Sequence, residues 1–155
     1  MAQADRDQGG ILSATHILEY PYTRSVGPFL GRFLTALKEG LIVGNRMPSG
    51  KVVVPPSEFD PDTAEDAGAD FVEVGPGGSV SSWTWVTKPR EKQPLEGPFA
   101  WGLILLDGAD TPVLHAVDAG RESLMATGMR VTARWKEQRE GMITDIECFE
   151  PEESG

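Results

Sequence analysis

Two periodicities divide the chain. Between Ser25 and Gly40, Phe29, Leu30, Phe33, Leu34 and Leu37 recur at helical spacing, with Pro28 in the first turn and Gly40 after the last apolar position. The spacing predicts an amphipathic helix of about three turns, with Ser25 as its N-cap. Beyond residue 78 the period becomes two. Five strands are expected there, at 79–87, 99–106, 113–117, 129–135 and 143–149, separated by stretches containing Gly, Pro or Asp. The fourth alternates cleanly, with Met129, Val131, Ala133 and Trp135 on one face and Arg130, Thr132 and Arg134 on the other, so it covers a core on one side only. The second, PFAWGLILL, is apolar on both faces, and Gly102 within it marks a bend or a close backbone approach. A sheet curled into a small barrel, with one wall covered by the helix or by a partner, accounts for both patterns.

The remaining segments are irregular. From Gly44 to Asp70 only Lys51 to Val54 reads as strand, and Pro, Gly and acidic residues punctuate the rest. The opening MAQADRDQGG has no periodicity and few large apolar side chains, so nothing there offsets the entropy of ordering it, and a flexible tail is expected. A length of 155 residues accommodates one modest core with a small satellite lobe, and excludes a further large domain.

Charge narrows the ligand classes. The formal net charge is -10, and a polyanion meets long-range repulsion from such a molecule, whereas nucleic-acid binding rests on clustered Lys and Arg. Trp83, Trp85, Trp101 and Trp135 would supply the stacking platform of a single-strand nucleic-acid-binding OB-fold, but aromatic residues equally fill barrel cores and interfaces. The one cysteine cannot form an internal disulfide, no signal-peptide pattern is present and no apolar run approaches bilayer length. A cytoplasmic protein is expected.

Candidate chemistry is sparse. Neither His16 nor His115 lies in a motif that pairs it with a Ser, Cys or Lys nucleophile. His115, inside VLHAV, shares a strand face with Val113 and Val117 and reads as a core or barrel-lining residue ahead of a general base. Cys148 shares a face with Thr144 and Ile146 and reads as a small buried hydrophobe. The run Gly75-Pro76-Gly77-Gly78 lacks the ending of a phosphate loop and leads into a strand, so it is a tight turn. Asp60, Asp62, Glu65, Asp66 and Asp70 lack the turn glycine and final glutamate of a calcium loop, and form a solvated acidic stretch. Two features stand out. Lys88, Arg90 and Lys92 cluster in KPREKQPLEGP, in an otherwise acidic chain; they suit coenzyme A phosphates or an acidic rim on a partner, or else form an ordinary charged hairpin loop. The Phe29, Phe33 and Leu37 stripe packs on the chain's own barrel or enters a groove on a partner.

The order of helix, Pro-Pro-containing lobe and five-strand barrel, with GGSVSSWTWV, PFAWGLILLDG and GMRVTARW starting successive barrel strands, resembles the zinc-ribbon/OB-fold family called domain of unknown function thirty-five, over residues 25–150. The resemblance implies a chain that pairs with a thiolase-like or lipid-transfer-type enzyme and assists thiolysis or retro-aldol cleavage of CoA thioesters, those of steroid side chains included, with the catalytic residues in the partner. It also implies two Cys-x-x-Cys pairs around a structural zinc. The matching positions are Arg46, Ser49, Asp60 and Thr63. Guanidinium does not ligate a cation, a neutral hydroxyl is a poor ligand and one carboxylate does not make a site, so no zinc is expected. Without the metal, which contributes on the order of 10 kcal/mol to folding in small zinc peptides, the lobe must be held by packing of Val52, Val53 and Val54 on the barrel or by a partner.

The expectation is therefore a mainly β chain: a flexible tail (1–24), an N-terminal helix (25–43), a degenerate zinc-ribbon lobe without metal (44–70), a five-stranded OB-fold-like barrel (71–150) and a short tail (151–155). Its expected role is that of a non-catalytic accessory subunit of a thiolase-like enzyme acting on acyl-CoA. No catalytic residue, metal or cofactor is assigned; Lys88, Arg90, Lys92, Phe29 and Phe33 are the expected ligand or partner contacts, and the coenzyme A moiety of the substrate is what would reach the basic residues. The alternatives are a stand-alone acyl or CoA binding module and a single-strand nucleic-acid binder.

Overall fold

A computed structural model describes residues 13–153; the start of the expected N-terminal tail and residues 154–155 lie outside them. Residues 13–26 carry no helix or strand and are exposed. Helix α1, Gly27–Glu39, follows. Its N-cap is Val26, not Ser25, whose Oγ accepts the Gly27 N–H at a long 3.4 Å from one position further out. At the other end Gly40 adopts a left-handed φ of 79°, which lets its N–H reach the Leu37 carbonyl at 3.0 Å and the Leu41 N–H reach Ala36 at 2.9 Å. The apolar stripe faces inward: Phe33, Ala36 and Leu37 are buried in the chain's own core.

Two sheets share that core. The lobe is a three-stranded antiparallel sheet of order β2-β1-β3, made of β1 (Ile42–Arg46), β2 (Val52–Val53) and β3 (Phe71–Val74). Residues 71–74, assigned to the barrel from the sequence, pair with β1 instead, in the register Ile42 to Val74 and Gly44 to Val72. Strands β1 and β2 approach very closely, because a Cβ on Gly44 would lie 2.6 Å from the Val53 carbonyl oxygen. Val52, Val53 and Val54 are buried, and the lobe is tied to the barrel by polar bonds as well: Val52 N–H donates to Asp110 Oδ2 at 2.8 Å and Val54 N–H to Thr111 Oγ1 at 2.9 Å.

The second sheet is a closed five-stranded barrel of order β4-β5-β6-β8-β7, which is the OB-fold-like architecture: β4 (Gly77–Val86), β5 (Phe99–Leu106), β6 (Val113–Val117), β7 (Arg130–Trp135) and β8 (Ile146–Pro151). Two bulges set which side chains face inward. An extra residue, Ser81, between Val80 and Ser82 turns Trp83 and Trp85 toward the core, and its Oγ donates to the Leu103 carbonyl at 3.1 Å. A second register shift, opposite Arg134 and Trp135, leaves Glu147 unpaired, so Ile146 and Phe149 both point into the barrel while Cys148 points out. The face shared by Cys148 and Ile146 in a regular strand is thereby split, and Cys148 is buried in a separate cluster with Phe99 and Ala116. Among the described residues no helix is long and apolar enough to cross a membrane.

Candidate functional site

The barrel closes unevenly. Strands β6 and β8 run parallel and share one registered pair, Val117 with Phe149, supported by the Asp118 N–H to Phe149 carbonyl bond at 2.8 Å. The stretch 143–145, expected to begin the last strand, is a turn of 3-10 helix instead. The cause is local. The buried carboxylate of Asp145 accepts the N–H groups of Glu140, Gly141 and Met142 at 3.0, 2.7 and 3.0 Å, and the Asp145 carbonyl accepts Lys136 N–H at 2.9 Å. Burial disfavours the ionised carboxylate there, but these donors outweigh it and hold the acid below its ordinary range. Gly141, at φ 86°, lets this loop pack on α1, where a Cβ would meet the Leu34 carbonyl at 3.3 Å.

Because the loop carries the start of β8 away from β6, two chambers form side by side. The inner one, about 250 Å³, lies between α1, the lobe and the barrel; Phe33, Val54, Leu106, Val113 and Phe149 are among its walls. The outer one, about 330 Å³, is bounded by Trp101, Pro94 and Glu147 and carries Lys92 and Lys136 at its rim. Leu114, His115, Ile143 and Ile146 line both. His115 is 8% exposed and stands between them; its ring lies edge-on to Phe149 at 5.5 Å, and its Nδ1 accepts the Ala116 N–H at 2.9 Å. Burial pushes the imidazole pKa below 6.5, with the Ile143 and Ala116 backbone working in the opposite sense, so the ring is neutral at pH 7.

The five residues singled out from the sequence separate. Phe33, 3% exposed, lies in the core and also walls the inner chamber. Phe29 stacks obliquely on Phe71 of β3 at 5.7 Å and is half-buried. Lys88, Arg90 and Lys92 are exposed in the β4–β5 loop; only Lys92 reaches the outer chamber, while Arg90 and Lys92 border a shallow hollow within the loop itself. Sequence reasoning missed Lys136, Leu114 and Ile143, because nothing local brings the end of β7, the middle of β6 and the loop before β8 together.

The surroundings of the chambers are electrostatically settled. Arg134 donates to Glu147 at 2.7 Å, Glu150 at 2.9 Å and Asp118 at 3.2 Å, and Arg130 holds Asp107 and Glu152. Trp83, Trp85 and Trp135 are half-buried and pack against the core. Burial raises the Cys148 thiol to about 12, which leaves it protonated and unreactive. Leu103, Leu105 and Leu114 are exposed on the outer wall, Leu114 by 62%.

The lobe positions expected to correspond to zinc ligands have other partners. Asp60 is 1% exposed, and its carboxylate accepts Ser49 N–H at 2.9 Å and Asp62 N–H at 2.8 Å. The Ser49 hydroxyl foremost, with these backbone donors and against the opposing effect of burial, holds its pKa at about 2. Arg46 pairs with Asp70 at 3.4 Å. One carboxylate already saturated by N–H donors, a guanidinium and two hydroxyls do not fit a tetrahedral zinc, and among the described residues no group of three His, Cys, Asp or Glu is placed to hold a metal.

With this geometry in place, comparison with known proteins gives a consistent answer for the fold. Residues 71–136 match the family model described as ChsH2, C-terminal OB-fold domain. Among solved structures, the chain is similar to a protein of unknown function from the DUF35 family of Sulfolobus solfataricus, with 18% identity and a TM-score of 0.62 over 82% of this chain and 85% of that one. It is also similar to a chain of the Ltp2-ChsH2(DUF35) aldolase, with 20% identity and a TM-score of 0.62 over 83% of this chain and 98% of that one. No curated protein matches the sequence.

Proposed function

We propose that this chain is a non-catalytic accessory subunit that binds a thiolase-like enzyme, of the lipid-transfer thiolase or aldolase kind, in the cytoplasm and helps form its acyl-CoA site. The observation that carries this reading is the likeness of its barrel to the ChsH2 C-terminal OB-fold domain, together with the likeness of most of its fold to a chain of the Ltp2-ChsH2(DUF35) aldolase. The chemistry of the chain agrees. Its described histidines are the exposed His16 and the buried His115, which touches backbone and Phe149; its thiol is buried and protonated, so no activated nucleophile stands beside a base. The exposed leucines of the outer wall, with Ile17, Leu18, Tyr20 and Tyr22 of the extended segment before α1, are apolar surface that this chain leaves uncovered, as an interface does.

In this reading Lys88, Arg90 and Lys92 meet the coenzyme A phosphates or an acidic rim of the enzyme, and the acyl group, steroid-derived thioesters included, stays on the enzyme's side. The deciding experiment is co-expression with thiolase-like enzymes encoded nearby, followed by size-exclusion chromatography and turnover assays on acyl-CoA. A joint peak whose activity requires both chains supports the proposal. A chain that elutes alone beside each of them, or that cleaves a CoA thioester unaided, overturns it.

A further inference from the structure

We infer that the two chambers beside His115 form one binding site, complete within this chain, for a small monocarboxylate with an apolar body. The inner chamber is apolar except for His115, whose Nδ1 is already occupied by the Ala116 N–H. Water therefore finds too few partners to fill it comfortably. At about 250 Å³ it exceeds the roughly 150 Å³ cavity that accepts benzene and falls short of the roughly 300 Å³ at which pockets for drug-sized ligands begin. Its size suits a single ring or a medium-length aliphatic chain.

Access and charge define the rest of the ligand. Strands β6 and β8 share one registered pair, Val117 with Phe149, and the wall common to the two chambers is Leu114, His115, Ile143 and Ile146, where the ligand would pass. Ile143 and Leu114 are also exposed to solvent, so the passage opens outward. At the outer rim stand Lys92 and Lys136. Glu147 in the wall of this chamber is bound to Arg134 Nε at 2.7 Å, and Asp145, whose charge Lys136 also feels, is capped by three backbone N–H groups. In a chain of net charge -10, two ammonium groups at the mouth of an apolar chamber, neither in a salt bridge among the described residues, suit an anionic head group. Two ammonium groups at the rim are enough for a head group of one negative charge, which a single carboxylate supplies. The apolar body enters past His115 and the carboxylate remains between the two lysines. No partner residue is needed, so the site stands or falls independently of the proposed enzyme complex.

The test is equilibrium binding of octanoate to the full chain, with butyrate and 1-octanol as controls, alongside the variants Lys136→Glu and Ile143→Trp. Both substitutions fall on exposed positions, and circular dichroism checks that each variant is folded. Saturable binding of one octanoate per chain is expected. Butyrate, lacking four methylenes, binds on the order of a hundredfold more weakly. Lys136→Glu weakens octanoate by about tenfold and leaves octanol unchanged, and Ile143→Trp blocks the passage to both. Absence of saturable octanoate binding, equal affinity for butyrate, or Lys136→Glu and Ile143→Trp proteins that bind octanoate like the parent each overturn the assignment. Failure to co-elute with an enzyme would instead count only against the accessory-subunit reading.

Discussion

The carboxylate of Asp60 reaches the backbone N–H of Ser49, 2.9 Å away, and so joins two turns of the lobe. One acidic side chain with two backbone donors, Ser49 and Asp62, ties these turns together. The bond pattern has a sign. A carboxyl held at about 2 in the folded chain, against 3.8 when free, contributes stability above its unfolded value and loses it as pH falls through its folded value.

The lobe is accordingly expected to loosen between about pH 4 and pH 2, with amide exchange at Ser49 and Asp62 accelerating before that of the barrel strands. Asp60→Ala produces the same local loss at neutral pH, read by hydrogen exchange. Addition of a strong chelator leaves the melting temperature where it was.

Phe33 belongs to the core, and its truncation tests that directly. Phe33→Ala is expected to lower the stability of the isolated chain by about 3–5 kcal/mol, measured by urea denaturation. If the residue served only a partner, stability would be unaffected and association alone would weaken.

His115 makes stability depend on pH. Its folded-state pKa lies below 6.5, so the unfolded chain takes up the proton first; stability is greatest above pH 6.5 and declines as pH falls through that value until the folded ring protonates. The slope contributed is at most about 1.4 kcal/mol per pH unit. Denaturation midpoints at pH 7.5 and 5.5 should differ less in His115→Leu than in the parent protein.

Charge reversal at Lys88, Arg90 and Lys92 together separates an ordinary loop from a contact surface. Because all three are exposed, the fold should be unchanged. In the complex, a drop of about tenfold in enzyme affinity or in apparent affinity for an acyl-CoA is expected. Unchanged values identify the loop as ordinary charged surface.

Much of this architecture was legible in local pattern. Strands β5 and β6 fall at the expected residues because apolar runs with sharp Gly, Pro or Asp boundaries leave little choice of limits. The last strand was misplaced at its start because Asp145 draws three N–H groups onto its carboxylate, an interaction with no signature in hydrophobic periodicity. The side on which Cys148 lies was misread for a similar reason: a bulge moves a face without altering composition. Phe71 to Val74 has a strand's pattern, but pairing with Ile42 to Asn45 is a long-range choice. The chambers were the least legible part. Lys92, Leu114, Lys136 and Ile143 come from four separate segments, and only the way the sheet closes makes them neighbours. Phe33 and Lys92 were picked out for their own chemistry, and the fold places them at opposite ends of the same pair of cavities.

The single pairing of Val117 with Phe149 has a dynamic consequence. A cylinder with ladders of several pairs along four sides and one registered pair along the fifth is expected to open most readily along that fifth side. The interior is therefore reached without global unfolding. A substitution that lengthened this seam is expected to slow such opening while making the molecule as a whole more stable.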